Sequence, residues 1–183
     1  QTKSAVSYKN PVVDIAMPDP TVIKAADGYF YMYATESTRN VPIMKSKNLV
    51  QWTYCNTAFT NKTRPRFEPK AGIWAPDINY INNKYVLYYA MSVWGGEQTC
   101  GIGVATADSP QGPFTDHGKM FRSNEIGVQN SIDPSFLQYE GRNYLVWGSF
   151  RGIYVIELTE DGLSLKPGAE KKRIAGTAFE AAY

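Results

Sequence analysis

The sequence predicts an all-β fold of repeated four-stranded antiparallel sheets, set side by side as the blades of a β-propeller. Three observations predict it. One phrase recurs, as "PDPTVIKAADGYFYMYAT" from Pro18, "APDINYINNKYVLYYAMS" from Ala75 and "VQNSIDPSFLQYEGRNYLVWGSF" from Val128. Each copy orders the same parts: an aspartate, a short apolar strand, a turn, and an aromatic strand. No stretch of the chain sustains helical periodicity.

In the first copy Asp19 heads a strand from Thr21 to Ile23, the turn is Asp27-Gly28, and a second strand covers Tyr29 to Tyr33. "VPIMKSKNLVQWTY" adds a third strand, a turn, and a fourth strand opened by Trp52. The second copy places Asp77 before Ile78 to Ile81, a turn at Asn82-Asn83 and a strand over Tyr85 to Tyr89; "GIGVATADSPQGPFTD" completes it, with Phe114 as the opening aromatic. The third has Asp133, Ser135 to Leu137, Glu140-Gly141, Tyr144 to Trp147, and then "GIYVIELTEDGLSL" with an Asp161-Gly162 turn. Four strands per copy match a propeller blade of about 40–50 residues plus loops. The blades are expected at about 11–70, 71–125 and 126–175. A fourth copy starts in "TAFEAAY" at about 176–183, with Glu180 in the aspartate's place 47 residues after Asp133.

Composition narrows the function. The 183 residues are enough for a proper core. The 13 Tyr, 8 Phe and 4 Trp suit half-buried sheets and sugar-stacking surfaces alike. A net charge of +2 with interspersed signs gives no reason to expect nucleic acid, and the short "EKKR" at 170–173 reads as a solvated loop or strand face. No apolar run is long enough to span a membrane, and no signal peptide is visible. A start at Gln1 fits a processed or trimmed chain, and secretion or a periplasmic location is the expectation. Cys55 and Cys100 lack metal-knuckle spacing, and whether they pair is left open. His117, the single histidine, falls in the polar turn "FTDHGKM", which argues against a Ser-His-Asp triad or a multi-histidine zinc site.

The recurring acids carry the functional expectation. The first strand of each propeller blade lines the central channel, so Asp19, Asp77, Asp133 and Glu180 are expected around one rim. Gathering carboxylates is costly unless something uses or neutralises them, and clustered like charges are how enzymes set carboxyl pKa values apart. With no histidine, cysteine or phosphate loop in play, paired carboxylates point to glycoside hydrolysis. One acid protonates the leaving oxygen and one carboxylate activates water or attacks the sugar; a third raises the acid's pKa by repulsion. A glutamate in one copy reaches further and has the higher intrinsic pKa.

"DPTVI", "GIWAPDI", "YYAMS", "GIGVATADSPQGPF", "NSIDPSF", "WGSFRGIYVIEL" and "FEAAY" together resemble glycoside hydrolase family 43, five-bladed β-propellers, and its endo-1,5-α-L-arabinanases in particular. The resemblance runs from about Asn10 to the last residue and covers three blades and one strand, which implies an N-terminal portion completed by further blades or another chain. It implies hydrolysis of arabinan by an inverting mechanism. Asp19 would be the general base, Asp133 the residue that tunes and orients the acid, and Glu180 the general acid. Trp74, Asn130 and Ser149 would contact the oligo- or polysaccharide, and Asp77 would either contact it or stand behind a residue that does. No cofactor is expected within this chain, and a channel ion such as calcium belongs to the complete propeller. Alternatives are an exo-acting arabinofuranosidase or β-xylosidase of the same family, and a non-catalytic carbohydrate-binding propeller. Divergence of the acids between copies favours the enzyme, and no WD or kelch repeat speaks for a protein-interaction propeller.

Overall fold

A computed structural model of the chain describes residues 7–176. Strands β1 (Thr21–Lys24), β2 (Phe30–Tyr33), β3 (Pro42–Ser46) and β4 (Trp52–Thr57) form a first sheet. The second holds β5 (Gly72–Ile81), β6 (Lys84–Ser92), β7 (Gly101–Ala107) and β8 (Thr115–Arg122). After one helical turn, α1 (Ser123–Ile126), the third holds β9 (Ser135–Tyr139), β10 (Arg142–Ser149), β11 (Gly152–Glu157) and β12 (Lys172–Ala175). Within each sheet, strands adjacent in sequence pair antiparallel, the meander of a propeller blade. The chain has the fold of the five-bladed propeller family and supplies three of its blades. Glu180 lies outside the described residues, as does the expected first strand of a fourth blade.

The hairpin turns follow from their residues. Ile81 pairs with Lys84 and Tyr139 with Arg142, so each loop has two residues. Asn82 and Asn83 have φ of 47° and 61°, and Glu140 and Gly141 have 49° and 73°. Two successive left-handed residues make the turn whose twist matches the flanking strands.

The middle sheet is covered on both faces, and that makes β6 apolar without alternation. Tyr85, Leu87, Tyr89 and Met91 enter a core shared with Tyr31, Tyr33, Ile43 and Phe59 of the first blade. Val86 and Tyr88 point the other way, into a core with Leu145, Trp147 and Ile156 of the third. Successive strand residues face opposite sides, so a strand buried on both must be apolar at every position. Each large side chain so buried contributes about 1.5–3 kcal/mol. Hydroxyls and amides fasten the blades where the cores end: Tyr88 Oη donates to Gly162 O at 2.8 Å, and Asn56 Nδ2 to Gln111 O at 2.8 Å. Exposed large apolar residues fall mainly on the outer sheets, at Val22, Tyr54, Leu137, Tyr139 and Ile174.

The register of the second repeat differs from the sequence expectation. Asp19, Ala75 and Asp133 have φ of 49°, 38° and 55°, and each immediately precedes a proline. The ladders agree, since Thr21 lies opposite Tyr33, Asp77 opposite Tyr88 and Ser135 opposite Val146. Ala75 is therefore the counterpart of Asp19 and Asp133, while Asp77 is the counterpart of Thr21 and Ser135. Matching acid to acid displaced the second copy by two residues; matching the X-Pro steps restores it. The longer β5, with its irregular register between Trp74 and Asp77, absorbs the difference.

Two smaller expectations are also settled. Cys55 and Cys100 are free thiols. His117 lies on edge strand β8 rather than in a turn, exposed, sharing a 2.7 Å hydrogen bond with Thr106 Oγ1.

Candidate active site

The segments leading into β1 and β9 deliver Asp19 and Asp133 to one end of the sheets. A cavity of about 660 Å³ opens there, and both aspartates line it together with Trp74 and Asn130. A left-handed backbone at a non-glycine residue costs roughly 1–2 kcal/mol, which the surrounding fold must supply. In return the carboxylate is turned off the strand direction and into the cavity.

Asp19 is exposed and held from one side. Thr35 Oγ1 donates to Asp19 Oδ2 at 2.5 Å and itself accepts the Ala75 N–H at 2.7 Å. The Thr35 N–H bonds to Pro18 O at 2.9 Å, tying the end of β2 to the segment that carries the acid. Thr35 thus fixes Asp19 against the second blade with a neutral hydroxyl.

Asp133 is 7% exposed and rides on a pinned loop. Trp147 Nε1 donates to Ser131 Oγ at 3.0 Å, Ser131 Oγ donates to Val128 O at 2.8 Å, and Gly148 N donates to Ile132 O at 3.0 Å. Asn130 sits at φ 55°, its backbone N–H on Glu97 O at 2.7 Å and its Nδ2 on Ser149 Oγ at 2.6 Å. Ser149 is fully buried and reaches the cavity only through Asn130.

Asp77 is not brought to the cavity. Its Oδ2 accepts the Phe136 N–H at 2.7 Å and Asn79 Nδ2 at 2.8 Å, while Oδ1 accepts Thr21 Oγ1 at 3.4 Å. One carboxylate thereby joins β1, β5 and β9. Burial pushes its pKa up, against the opposing pull of these hydrogen bonds. The expected substrate contact at Asp77 is corrected by the same two-residue shift: at the position of Thr21 and Ser135 the side chain meets neighbouring strands.

Two further carboxylates on the cavity wall are held by arginine. Glu36 takes both Arg64 Nη1 and Nη2, at 3.0 and 2.7 Å, and the N–H groups of Asn40 and Ile73 at 2.6 and 3.0 Å. Glu97 is paired with Arg151 at 3.2 Å. Neither pairing is legible in sequence, because the partners lie 28 and 54 residues apart. Trp94 was also missed. It lies in the β6–β7 loop, 94% exposed, with its ring 5.5 Å from that of Trp74. The two indoles give the cavity an apolar flank suited to the face of a sugar ring.

Among the described residues, no three His, Cys, Asp or Glu side chains converge as ligands for an ion.

Asp19, Asp133, Trp74 and Trp94 thus line one cavity. The model of glycosyl hydrolases family 43 matches residues 8–183. The chain belongs to that family. It is 35% identical over 177 residues to the extracellular endo-α-(1→5)-L-arabinanase 1 of Bacillus subtilis, covering 89% of this chain and 54% of the relative. It is 34% identical over 180 residues to arabinan endo-1,5-α-L-arabinosidase C of Emericella nidulans, covering 94% and 55%. Among solved structures, the native Bacillus subtilis arabinanase superposes with a TM-score of 0.77 at 30% identity, over 92% of this chain and 61% of that one. A Cellvibrio cellulosa α-L-arabinanase complexed with arabinohexaose gives 0.76 at 26% identity, over 88% and 54%. The chain spans about half the length of the curated relatives it matches.

Proposed function

We propose that the protein carrying this chain hydrolyses α-1,5-linked L-arabinan, with inversion at the anomeric carbon. The observation that carries the proposal is that Asp19 and Asp133, from different blades, line one cavity flanked by Trp74 and Trp94. The names of the relatives supply the substrate class.

In this reading Asp19 is the base. It is exposed, so water reaches it, and the Thr35 hydroxyl fixes one oxygen and leaves the other to take a proton. Water so activated attacks the anomeric carbon from the face opposite the leaving oxygen, and the departing oxygen receives its proton from Glu180. Asp133 is the residue that tunes that acid in this reading: a negative charge near it would favour the protonated glutamate until the moment of transfer. Asn130, held by Ser149, offers its amide to the sugar hydroxyls. Glu36 and Glu97 are locked to arginines and shape the wall. Further blades beside the first and third sheets would cover Val22, Leu137 and Tyr139. Secretion follows as a proposal from the extracellular relative; in the described residues no helix is long and apolar enough to cross a membrane.

The test is product analysis on linear arabinan and on xylooligosaccharides, with the anomer of the first product followed by NMR. Short arabino-oligosaccharides of inverted configuration support the reading. Release of arabinose alone from chain ends indicates the exo-acting relative, and xylose release overturns the substrate.

A further inference from the structure

A second cavity, of about 370 Å³, lies behind the first. The two share a wall: Glu36 faces the first, Arg64 faces the second, and their 2.7 Å ion pair stands between. The second cavity is lined by Arg39, Arg64, Arg66 and Lys70, with Glu68 as its one acid.

The charges there do not cancel. Arg64 is matched by Glu36, and Glu68 is matched by Arg122 from the end of β8. Arg39, Arg66 and Lys70 have no acidic partner within salt-bridge distance among the described residues. All three are exposed, and two of them are oriented by a neutral group. Asn61 accepts Arg39 Nε on its side-chain oxygen at 3.0 Å and Arg66 Nη2 on its backbone oxygen at 2.6 Å. A carboxylate in that position would have neutralised them; an amide orients the guanidiniums and leaves their other N–H groups for something else. Asn61 is itself fixed by Asn40 Nδ2 at 3.1 Å, and Asn40 by Arg64 at 2.8 Å, so the arrangement is braced on the buried ion pair. Pro65, Pro69 and Met91 supply apolar walls.

We propose that this cavity binds the carboxylate of an acidic sugar residue, a uronate. Guanidinium pairs planar carboxylates with two parallel hydrogen bonds, and apolar walls suit the faces of a pyranose ring. A neutral arabinan gives three uncompensated cations nothing to do; a polysaccharide carrying both neutral and uronate sugars does. The charge argument stands without the proposed arabinan activity, while the choice of a sugar acid over another anion rests on the family's action on glycans.

The experiment is titration of the protein by calorimetry with oligogalacturonate, its methyl ester, inorganic phosphate and neutral arabino-oligosaccharide, at low and high salt. Oligogalacturonate binding is expected to weaken about tenfold or more in the Arg39→Ala/Arg66→Ala variant and on raising salt, with the methyl ester failing to bind. Lys70→Asn, which keeps a residue tolerant of the left-handed backbone found there at φ 62°, is the milder second variant and should weaken binding with an unchanged melting temperature. Absence of oligogalacturonate binding overturns the proposal, as does binding untouched by Lys70→Asn. Phosphate binding as tight as the oligogalacturonate reduces the cavity to a general anion site and overturns the uronate assignment. Arabinan hydrolysis is read separately and is expected to be the same in all variants, so failure of the arabinan reading is seen in that arm alone.

Discussion

Asp77 Oδ2 accepts the backbone N–H of Phe136 at 2.7 Å, joining the second blade to the first strand of the third. Asp77→Ala should lower stability by about 1–3 kcal/mol, since it strands a donor that no longer has water or partner. Urea denaturation measures it, and a change within error would show that water replaces the carboxylate.

The pH dependence of the same group has a definite sign. Burial raises the folded-state pKa of Asp77 above its ordinary 3.8, so the folded state binds the proton more tightly than the unfolded chain. Its contribution to stability is fully present below 3.8 and is lost as pH rises through the folded value. Asp77→Asn does not titrate. The stability of wild type relative to Asp77→Asn should therefore fall as pH rises above 3.8 and through the folded-state value, read from denaturation midpoints at each pH.

Asp19→Asn and Glu180→Gln should each reduce turnover about 10²–10⁴-fold in the active protein while leaving circular dichroism unchanged. Asp133→Asn should lower both turnover and the pKa that governs protonation of the acid, because it removes a neighbouring negative charge. An unmoved pH–rate profile would sink the tuning role.

Thr35 tests whether Asp19 must be anchored. Thr35→Ser retains the hydroxyl that donates to Asp19 and accepts from Ala75, and should keep most activity. Thr35→Val removes it and should lower kcat by about tenfold or more, with substrate affinity little changed. Equal kcat values for the two variants would refute the anchoring.

Trp94→Ala should raise KM for arabino-oligosaccharides several-fold with little change in melting temperature, because the ring is 94% exposed and supports no core. Carboxyl separation is a second geometric check: inversion requires Asp19 and Glu180 to stand roughly 6.5–9.5 Å apart, which a ligand-bound crystal structure would measure.

Local chemistry made the hairpins legible. Asn82-Asn83 and Glu140-Gly141 announce their turns, and the aromatic runs at Tyr85 and Tyr144 announce the strands that follow. Asp19 and Asp133 were legible too, because an acid before proline at the head of a strand recurs in both. Asp77 resembles them because it is an acid beside a proline, although it follows Pro76 rather than preceding it. Trp94 gave no signal, since a loop tryptophan in "SVWGGEQTC" has no period to break. The Glu36–Arg64 and Glu97–Arg151 pairs depend on which loops the propeller brings together, and no local pattern encodes that.

The left-handed step before proline bears a carboxylate in the first and third blades and a methyl group, Ala75, in the second. Three acids there would spread negative potential evenly around the mouth of the channel. Two acids with a neutral gap give a potential that varies across it. In the proposed reaction, the positive charge that gathers on the sugar ring as the bond breaks would be stabilised more on the side of the two acids than at the gap. Ala75 is 1% exposed, so the second blade's step has room for a methyl group and none for a third charge, and Ala75→Asp would bury a carboxylate away from water.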